Sequence, residues 1–499
     1  MPETTAPAPH SVRVEGGGGV SSGSSAVVWL RQDLRLADNP ALAYACEHYD
    51  RVLPVYIWDP AGEGAWPPGG AARWWLHHSL AALDRRLRQR RRRLLYIAGD
   101  SADRLQELID ATGATGVFWN RRYEPAVRQR DSRIKTRLRD LGGVECRSFN
   151  AALWWEPWEV STGQGAPYRV FTPFWKRLLA QWRAPAPVAT PRVPPPPAAA
   201  PPGQTLESLE LLPWVDWDAE FPEHWRPGEN GATQRLEAFV ETVEDYPHSR
   251  DQAAVDGTSG LSPHLHFGEI SPPQVMAALG IDQQPPAAGG ALDLARELAW
   301  REFSWHLLYH YPHLPEQPLQ DKYRRFPWRR RYAADLSAWQ AGRTGIPMVD
   351  AGMRQLWRSG WMHNRVRMVV ASFLTKNLLI PWQEGARWFW DTLVDADLGN
   401  NTQGWQWSAG CGADAAPYFR IFNPVRQGER FDPAGDYVRH WVQELADIPD
   451  QYIHAPWQAP ASVQRDAGAV IGEDYPEPIV DLKASRERAL QAYQKIRGL

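Results

Sequence analysis

Over the first third of the chain, short apolar runs alternate with longer segments whose apolar positions recur every three or four residues. Ala26–Leu30, Val52–Trp58, Leu94–Ala98, Gly116–Trp119 and Val144–Phe149 read as strands, with helices at 40–48, 71–92, 101–112 and 124–140 between them. Near-continuous apolar strands joined by helices predict a parallel sheet covered on both faces. Residues 185–202 hold nine prolines in eighteen, which no helix or strand interior accepts. The segment 156–225 around them is read as a Pro-rich interdomain connector. Beyond it, over 226–499, strand patterns vanish and helical periodicity dominates. The fold class expected is therefore an α/β domain at 26–155 followed by a larger all-α domain, with 1–25 a disordered Gly- and Ser-rich tail.

Composition narrows the function classes. Lys and Arg number 55 against 58 Asp and Glu, a net charge of −3, so nucleic acid can be met only through local basic patches. Cys46, Cys146 and Cys411 are too few and too dispersed for a disulfide framework or a four-thiolate metal site, and they point to a reducing, cytoplasmic setting. The N-terminus lacks the basic and apolar regions of a secretory signal, and no apolar run is long enough to span a membrane. Neither a G-x-G-x-x-G after the first strand nor a Walker A sequence is present. The seven arginines of Arg85–Arg93 read as the solvated end of a helix.

Several segments in the second half carry chemistry. Tyr246-Pro-His-Ser-Arg250 leads into Gly257-Thr-Ser-Gly-Leu-Ser262-Pro263, where hydroxyls precede a Pro-started helix, a setting that suits phosphate. His264 and His266 lack a third ligand at useful spacing, so no metal is expected. Helical spacing sets Glu297 beside Trp300 and Arg301. In Gly360–Phe373, Val366, Val369, Val370 and Phe373 form a core stripe, while Trp361, Asn364, Arg365 and Met368 form a mixed stripe suited to a flat, partly polar ligand. Asp395-Ala-Asp397-Leu-Gly-Asn-Asn401-Thr-Gln-Gly-Trp405-Gln-Trp407 follows, and then Pro417-Tyr-Phe-Arg-Ile-Phe-Asn-Pro424.

Together with Val28-Trp-Leu-Arg-Gln-Asp-Leu-Arg-Leu-Ala-Asp-Asn39 and Gly345-Ile-Pro-Met-Val-Asp-Ala-Gly-Met353, these residues resemble the cryptochrome/photolyase family over nearly the whole chain. The likeness is nearest to its bacterial class I branch, which acts on cyclobutane pyrimidine dimers. The resemblance implies a five-stranded Rossmann-like antenna domain and an all-α domain that holds FAD. It also implies light-driven DNA repair, in which the excited reduced flavin lends an electron that splits the dimer and then returns. Tyr246, Thr258, Ser259, Gly260, Leu261, Ser262 and Arg301 would hold the FAD phosphates and sugars. Asp395, Ala396 and Asp397 would flank the ring system, with Arg367 paired to Asp395 and Asn401 facing flavin N5.

The same resemblance makes Trp405, Trp382 and Trp328 an electron-hopping chain, innermost first. It gives Glu297, Trp300, Asn364, Arg365, Met368 and Trp407 to a flipped pyrimidine dimer, and Arg250, Arg365 and Gln427 to the DNA backbone. Six basic residues in Lys322–Arg331 around Trp328 would form a DNA-binding rim. Six-four enzymes carry a His pair where Asn364 and Met368 stand, so UV-damaged DNA bearing cyclobutane dimers is the expected partner of a monomeric enzyme. For the second, antenna chromophore, folate-type members have Asn-Glu after Tyr-Glu. Here Pro125-Ala126-Val127 follows Tyr123-Glu124, which departs from the folate pattern and leaves a deazaflavin or no antenna open. A signalling cryptochrome, a six-four photolyase and a flavin oxidoreductase without DNA are the alternatives. The chain ends soon after Tyr475-Pro-Glu-Pro-Ile-Val, without the long tail common in signalling members.

Overall fold

The computed structural model describes residues 23–497 apart from 184 and 416–418. Residues 1–22 of the expected tail, and Pro417 and Tyr418, lie outside the described residues. Five strands, β1 (Ser25–Leu30), β2 (Arg51–Trp58), β3 (Leu95–Ala98), β4 (Gly116–Asn120) and β5 (Glu145–Phe149), form one parallel sheet in the order 3-2-1-4-5. Helices α1 (Pro40–His48), α2 (Gly70–Gln89), α3 (Ser101–Thr112) and α4 (Pro125–Leu141) link the strands. Side chains alternate across β1. Val28 and Leu30 join Trp75 and Phe118 on one face, and Val27 and Trp29 join Leu53 and Trp119 on the other.

Two boundaries and two environments differ from the sequence reading. The tail gives way to structure by Gly23, whose N–H donates to Asp50 (2.9 Å), and Ser25 already pairs with Arg51 in the sheet. Helix α2 stops at Gln89, not 92, because Arg91 takes a left-handed backbone (φ 56°). The arginine run is not simply solvated. Arg92 Nε donates to the carbonyls of Val193 and Pro194 (2.9 and 2.8 Å), and Arg93 to those of Pro201 and Pro202 (both 2.8 Å). The run thus satisfies carbonyls of a proline segment that has few N–H donors of its own.

The connector is likewise no free tether. It contains the helix Phe171–Ala180, whose Phe171, Phe174 and Leu178 pack into the helical domain beside Phe303. Farther on, Leu206, Leu209, Leu211 and Phe221 pack against the sheet domain. No strand follows β5 among the described residues. The helical domain centres on the Gly290–His310, Pro347–Ser359, Asn364–Ser372, Trp382–Thr392 and Leu398–Ala409 helices, the last packed between the first and the fourth. Among the described residues no helix is long and apolar enough to cross a membrane.

Candidate cofactor and substrate cavity

A cavity of about 620 Å³ opens among the Gly290–His310, Asn364–Ser372 and Leu398–Ala409 helices and the 257–262 loop. Tyr246 and the residues Thr258 to Ser262 line one wall. The loop turns at Gly260, whose left-handed φ of 60° and contact with the Arg235 guanidinium exclude a side chain. Arg235 braces the loop from behind, donating to the Ser259 carbonyl (3.0 Å), and is itself held by Asp256 (2.6 Å). The helix after the loop, Ser262–His266, has only five residues. Anion binding here therefore falls to hydroxyls and backbone N–H groups more than to a helix dipole.

Asp395 and Asp397 form the next wall. Asp395 Oδ2 accepts from Arg367 (2.8 Å) and from Ser262 Oγ (2.7 Å). Its Oδ1 is buried without a partner. A carboxylate oxygen in that position calls for a donor, and a polar cofactor edge would supply one. Asp397 caps the Leu398–Ala409 helix through the Asn400 N–H (2.8 Å) and accepts from Trp305 Nε1 (3.1 Å). Burial pushes the Asp397 carboxyl up, but His266, the Arg301 charge and the Asn400 N–H outweigh it and hold the group below the ordinary range. Arg301 also lines the cavity and donates to the Ala152 carbonyl (2.8 Å), tying the cavity to the first domain. Asn401 spends its amide N–H on the Ala386 carbonyl (2.9 Å), so its oxygen remains as an acceptor.

The opposite part of the cavity is flatter and more aromatic. Trp300 stacks on Phe171 (centroids 3.5 Å apart, planes at 8°), which fixes the indole and covers one of its faces. Trp407 packs near Phe422, with planes at 29°. Glu297 is paired with Arg250 (2.6 Å), and Arg365 with Asp251 (2.6 Å). Asn364 begins its helix and Met368 follows one turn later; both line the cavity, as does Trp361, which precedes the helix and does not extend its stripe. His363 is the N-cap, its Nδ1 accepting from the Arg365 N–H (3.2 Å), and burial pushes its pKa down to about 4. A neutral, inward-held imidazole is no acid for a substrate in this cavity.

Two family models match the chain: "DNA photolyase" over residues 26–196 and "FAD binding domain of DNA photolyase" over 294–495. A deoxyribodipyrimidine photo-lyase of Agrobacterium fabrum is 48% identical over 473 residues, covering 94% of this chain and 98% of that one. The chain belongs to the photolyase/cryptochrome family. Cryptochrome-1 of Arabidopsis thaliana is 39% identical over 96% of this chain and 71% of its own length. The solved structure of a bacterial class III photolyase from Agrobacterium tumefaciens superposes with a TM-score of 0.91 at 46% identity, covering 98% of this chain and 100% of that one. The sequence motifs alone had pointed to the class I branch.

For a family whose helical domain binds FAD, the cavity residues fit. The unpartnered Asp395 oxygen, the hydroxyl-bearing loop and the Arg367 charge suit the polar parts, and Phe389 and Leu393 offer an apolar wall. Three of the expected residues lie elsewhere. Gln427 sits outside the cavity on the Pro424–Phe431 helix, whose Phe431 is covered by Arg365 (4.9 Å). Trp382 and Trp328 lie behind the cavity in the same apolar cluster as Trp405, with Trp382 buried and Trp328 half-buried beside Phe326 (4.4 Å). Trp405 lines the cavity and lies against Gly385, one turn along the helix that Trp382 begins. The rings nearest Trp405 are Phe389 (5.0 Å) and Trp339 (6.1 Å), neither of which the sequence reading singled out.

The basic run Lys322–Arg331, expected as a DNA-binding rim, lies outside the cavity lining. Arg329 pairs with Asp335 and donates its backbone N–H to Leu379 (2.9 Å), while Lys322 lies over Tyr323 and Tyr493. Arg235, Asp251 and Phe171 were also missed. Each supports an expected residue from a distant part of the chain.

Proposed function

We propose that this protein repairs cyclobutane pyrimidine dimers in UV-damaged DNA under light, as a cytoplasmic monomer. The observation that carries the reading is a single cavity with two kinds of wall. One has the carboxylates, guanidinium and hydroxyls that suit FAD; the other has Glu297, Trp300, Met368 and Trp407, which suit two flat, partly polar linked bases of one strand turned out of the helix. Reduced FAD, when bound and excited by blue light, supplies the electron that splits the dimer and takes it back. The protein binds, orients and excludes water. Asp395, Arg367 and Asn401 would hold the cofactor ring system, and the 257–262 loop its phosphates. Trp300 and Trp407 would sandwich the dimer, and Glu297 would accept from its base edges. Trp405, Trp382 and Trp328 would carry electrons inward when oxidised flavin is photoreduced.

Neutral, buried His363 and the absence of a second His at Asn364 or Met368 favour cyclobutane over six-four lesions. The test is an oligonucleotide with one defined thymine dimer, incubated with reduced enzyme in light and in dark and analysed by chromatography. Intact thymines should appear only in light. No restoration, or restoration of a six-four oligonucleotide in its place, would overturn the reading.

A further inference from the structure

In the absence of DNA, both arginines expected to reach the DNA backbone are occupied. Arg250 Nη2 lies 2.6 Å from Glu297 Oε1, and Arg365 holds Asp251 through two contacts of 2.8 and 2.6 Å. Neither pair is sealed in. Side-chain exposure is 22% for Arg250 and 34% for Glu297, so the guanidinium can leave its partner for a phosphate without unfolding anything. The two carboxylates differ in one respect. Glu297 lines the cavity between Tyr246 and Trp300, whereas Asp251 does not line it. When Arg250 turns to a phosphate, a half-buried Glu297 carboxylate is left without its cation, at an energetic cost. Only a ligand that brings N–H donors into the cavity can offset that cost.

We infer that Glu297 is a lock as well as a reader: it holds Arg250 away from the DNA backbone, and a flipped lesion releases the arginine by giving Glu297 new donors. Undamaged DNA, which leaves its bases stacked, bears the full cost of stranding Glu297. The ion pair thus disfavours the wrong partner while the cavity favours the right one, the two halves of specificity. The Asp251–Arg365 pair has no such coupling, because Asp251 does not line the cavity and a flipped lesion brings it no donors. This inference rests on the proposed repair function, but it concerns binding in the dark and needs no photochemistry.

The experiment measures dark affinity of the FAD-loaded protein for one duplex with and without a thymine dimer, at fixed salt. Glu297→Gln should tighten undamaged DNA about two- to fivefold, the worth of a partly exposed ion pair. The same change should weaken dimer-containing DNA about tenfold or more, the loss of a charge-assisted hydrogen bond. Asp251→Asn should tighten both by one common factor. Removing a negative charge near DNA also strengthens binding generally, so Glu297→Gln is repeated in an Arg250→Gln background, where only that general part of the tightening must remain. Unchanged or weakened undamaged binding in Glu297→Gln, or tightening that is undiminished without Arg250, overturns the lock while leaving the repair reading standing. A wild-type protein that does not prefer the dimer overturns both. Visible flavin absorbance and melting temperature identify any variant that fails to fold, and the Arg250→Gln and Asp251→Asn comparisons still decide the matter.

Discussion

The two domains use the same side chains to opposite ends. In the sheet domain the strand order reverses between β1 and β4, the place where doubly wound sheets take their ligands. Here that crevice is filled by the chain itself. Arg31 grips Asp131 (3.0 and 2.7 Å) and the Asn120 carbonyl, and Arg122 grips Glu63 (both contacts 2.7 Å) and Glu124 (2.7 Å). The guanidiniums of Arg31 and Arg130 both lie over Trp29, at 4.6 and 4.9 Å. A planar antenna chromophore would have to displace them to enter. In the helical domain, charges of the same kind surround an open cavity, and one oxygen of Asp395 has no partner. Charge alone therefore does not mark a site. Neither cluster is fully satisfied, since Arg31 Nε and Glu124 Oε2 are buried without partners just as Asp395 Oδ1 is; the difference is that Asp395 faces an open cavity, where a ligand can supply the donor.

Breaking one ion pair in each domain gives the sharpest contrast. Arg31→Met removes the closer of the two cations on buried Asp131 and leaves Arg130 (3.3 Å), which should cost about 1–3 kcal/mol of stability. Thermal unfolding should move down markedly while the purified protein keeps its flavin. Asp395→Asn should do the reverse, weakening FAD binding by about 2–3 kcal/mol through loss of charge-assisted hydrogen bonds, with a smaller change in melting temperature. Flavin absorbance per chain and calorimetry check both. If Arg31→Met released the flavin as readily as Asp395→Asn does, the division between a cluster packed within the sheet domain and one directed at a ligand would be wrong.

The contrast extends to tryptophans. Trp29 and Trp119 meet edge to face (5.7 Å) in the sheet core, a packing arrangement far from the cavity. Trp382 shares a cluster with Trp405 and Trp328. Trp382→Phe should slow photoreduction of oxidised flavin at least about tenfold, a barrier change near 1.4 kcal/mol. Trp119→Phe should leave the rate alone, and repair by chemically pre-reduced enzyme should survive both. Trp339→Phe discriminates further. A comparable loss there would show that electrons also pass through the ring 6.1 Å from Trp405.

How much of this was readable in advance follows from how local each signal is. The strands were found because runs such as Val52–Trp58 are apolar in sequence, and the sheet needed nothing more. The cavity residues announced themselves as dense motifs, above all Asp395–Trp407. The Phe171–Ala180 helix was hidden because its Phe171, Phe174 and Leu178 stripe is short and lies next to a proline-rich stretch. Asp251 sits 114 positions from Arg365, and Phe171 meets Trp300 from another domain segment. Such pairings leave no periodic trace. The basic run near Trp328 is a signal of another kind, since local charge density does not by itself say which surface the fold gives it.

The smallest effect concerns the seam between the two domains. Glu302, on the Gly290–His310 helix, is 3% exposed. It accepts the Trp155 N–H (3.0 Å) and lies 3.4 Å from Arg301. Burial pushes its carboxyl up from an ordinary 4.5 to about 7, although Arg301 and the backbone N–H groups of Trp155 and Trp154 pull the other way. The folded protein therefore binds this proton more tightly than the unfolded chain does. That contribution to stability is complete below pH 4.5 and is lost as pH rises to about 7, after which it stays lost. Glu302→Gln mimics the protonated acid and keeps an acceptor for Trp155. At pH 8 it should be more stable than wild type by about 1–2 kcal/mol, a conservative share of what the raised pKa implies. Near pH 4.5 the two proteins should melt together. Unfolding curves taken every half unit from pH 4.5 to 8 would show wild type falling away from the variant across that window. Parallel curves would mean that Arg301 keeps Glu302 ionised throughout, and the seam would then carry one more satisfied ion pair of the kind that fills the sheet domain.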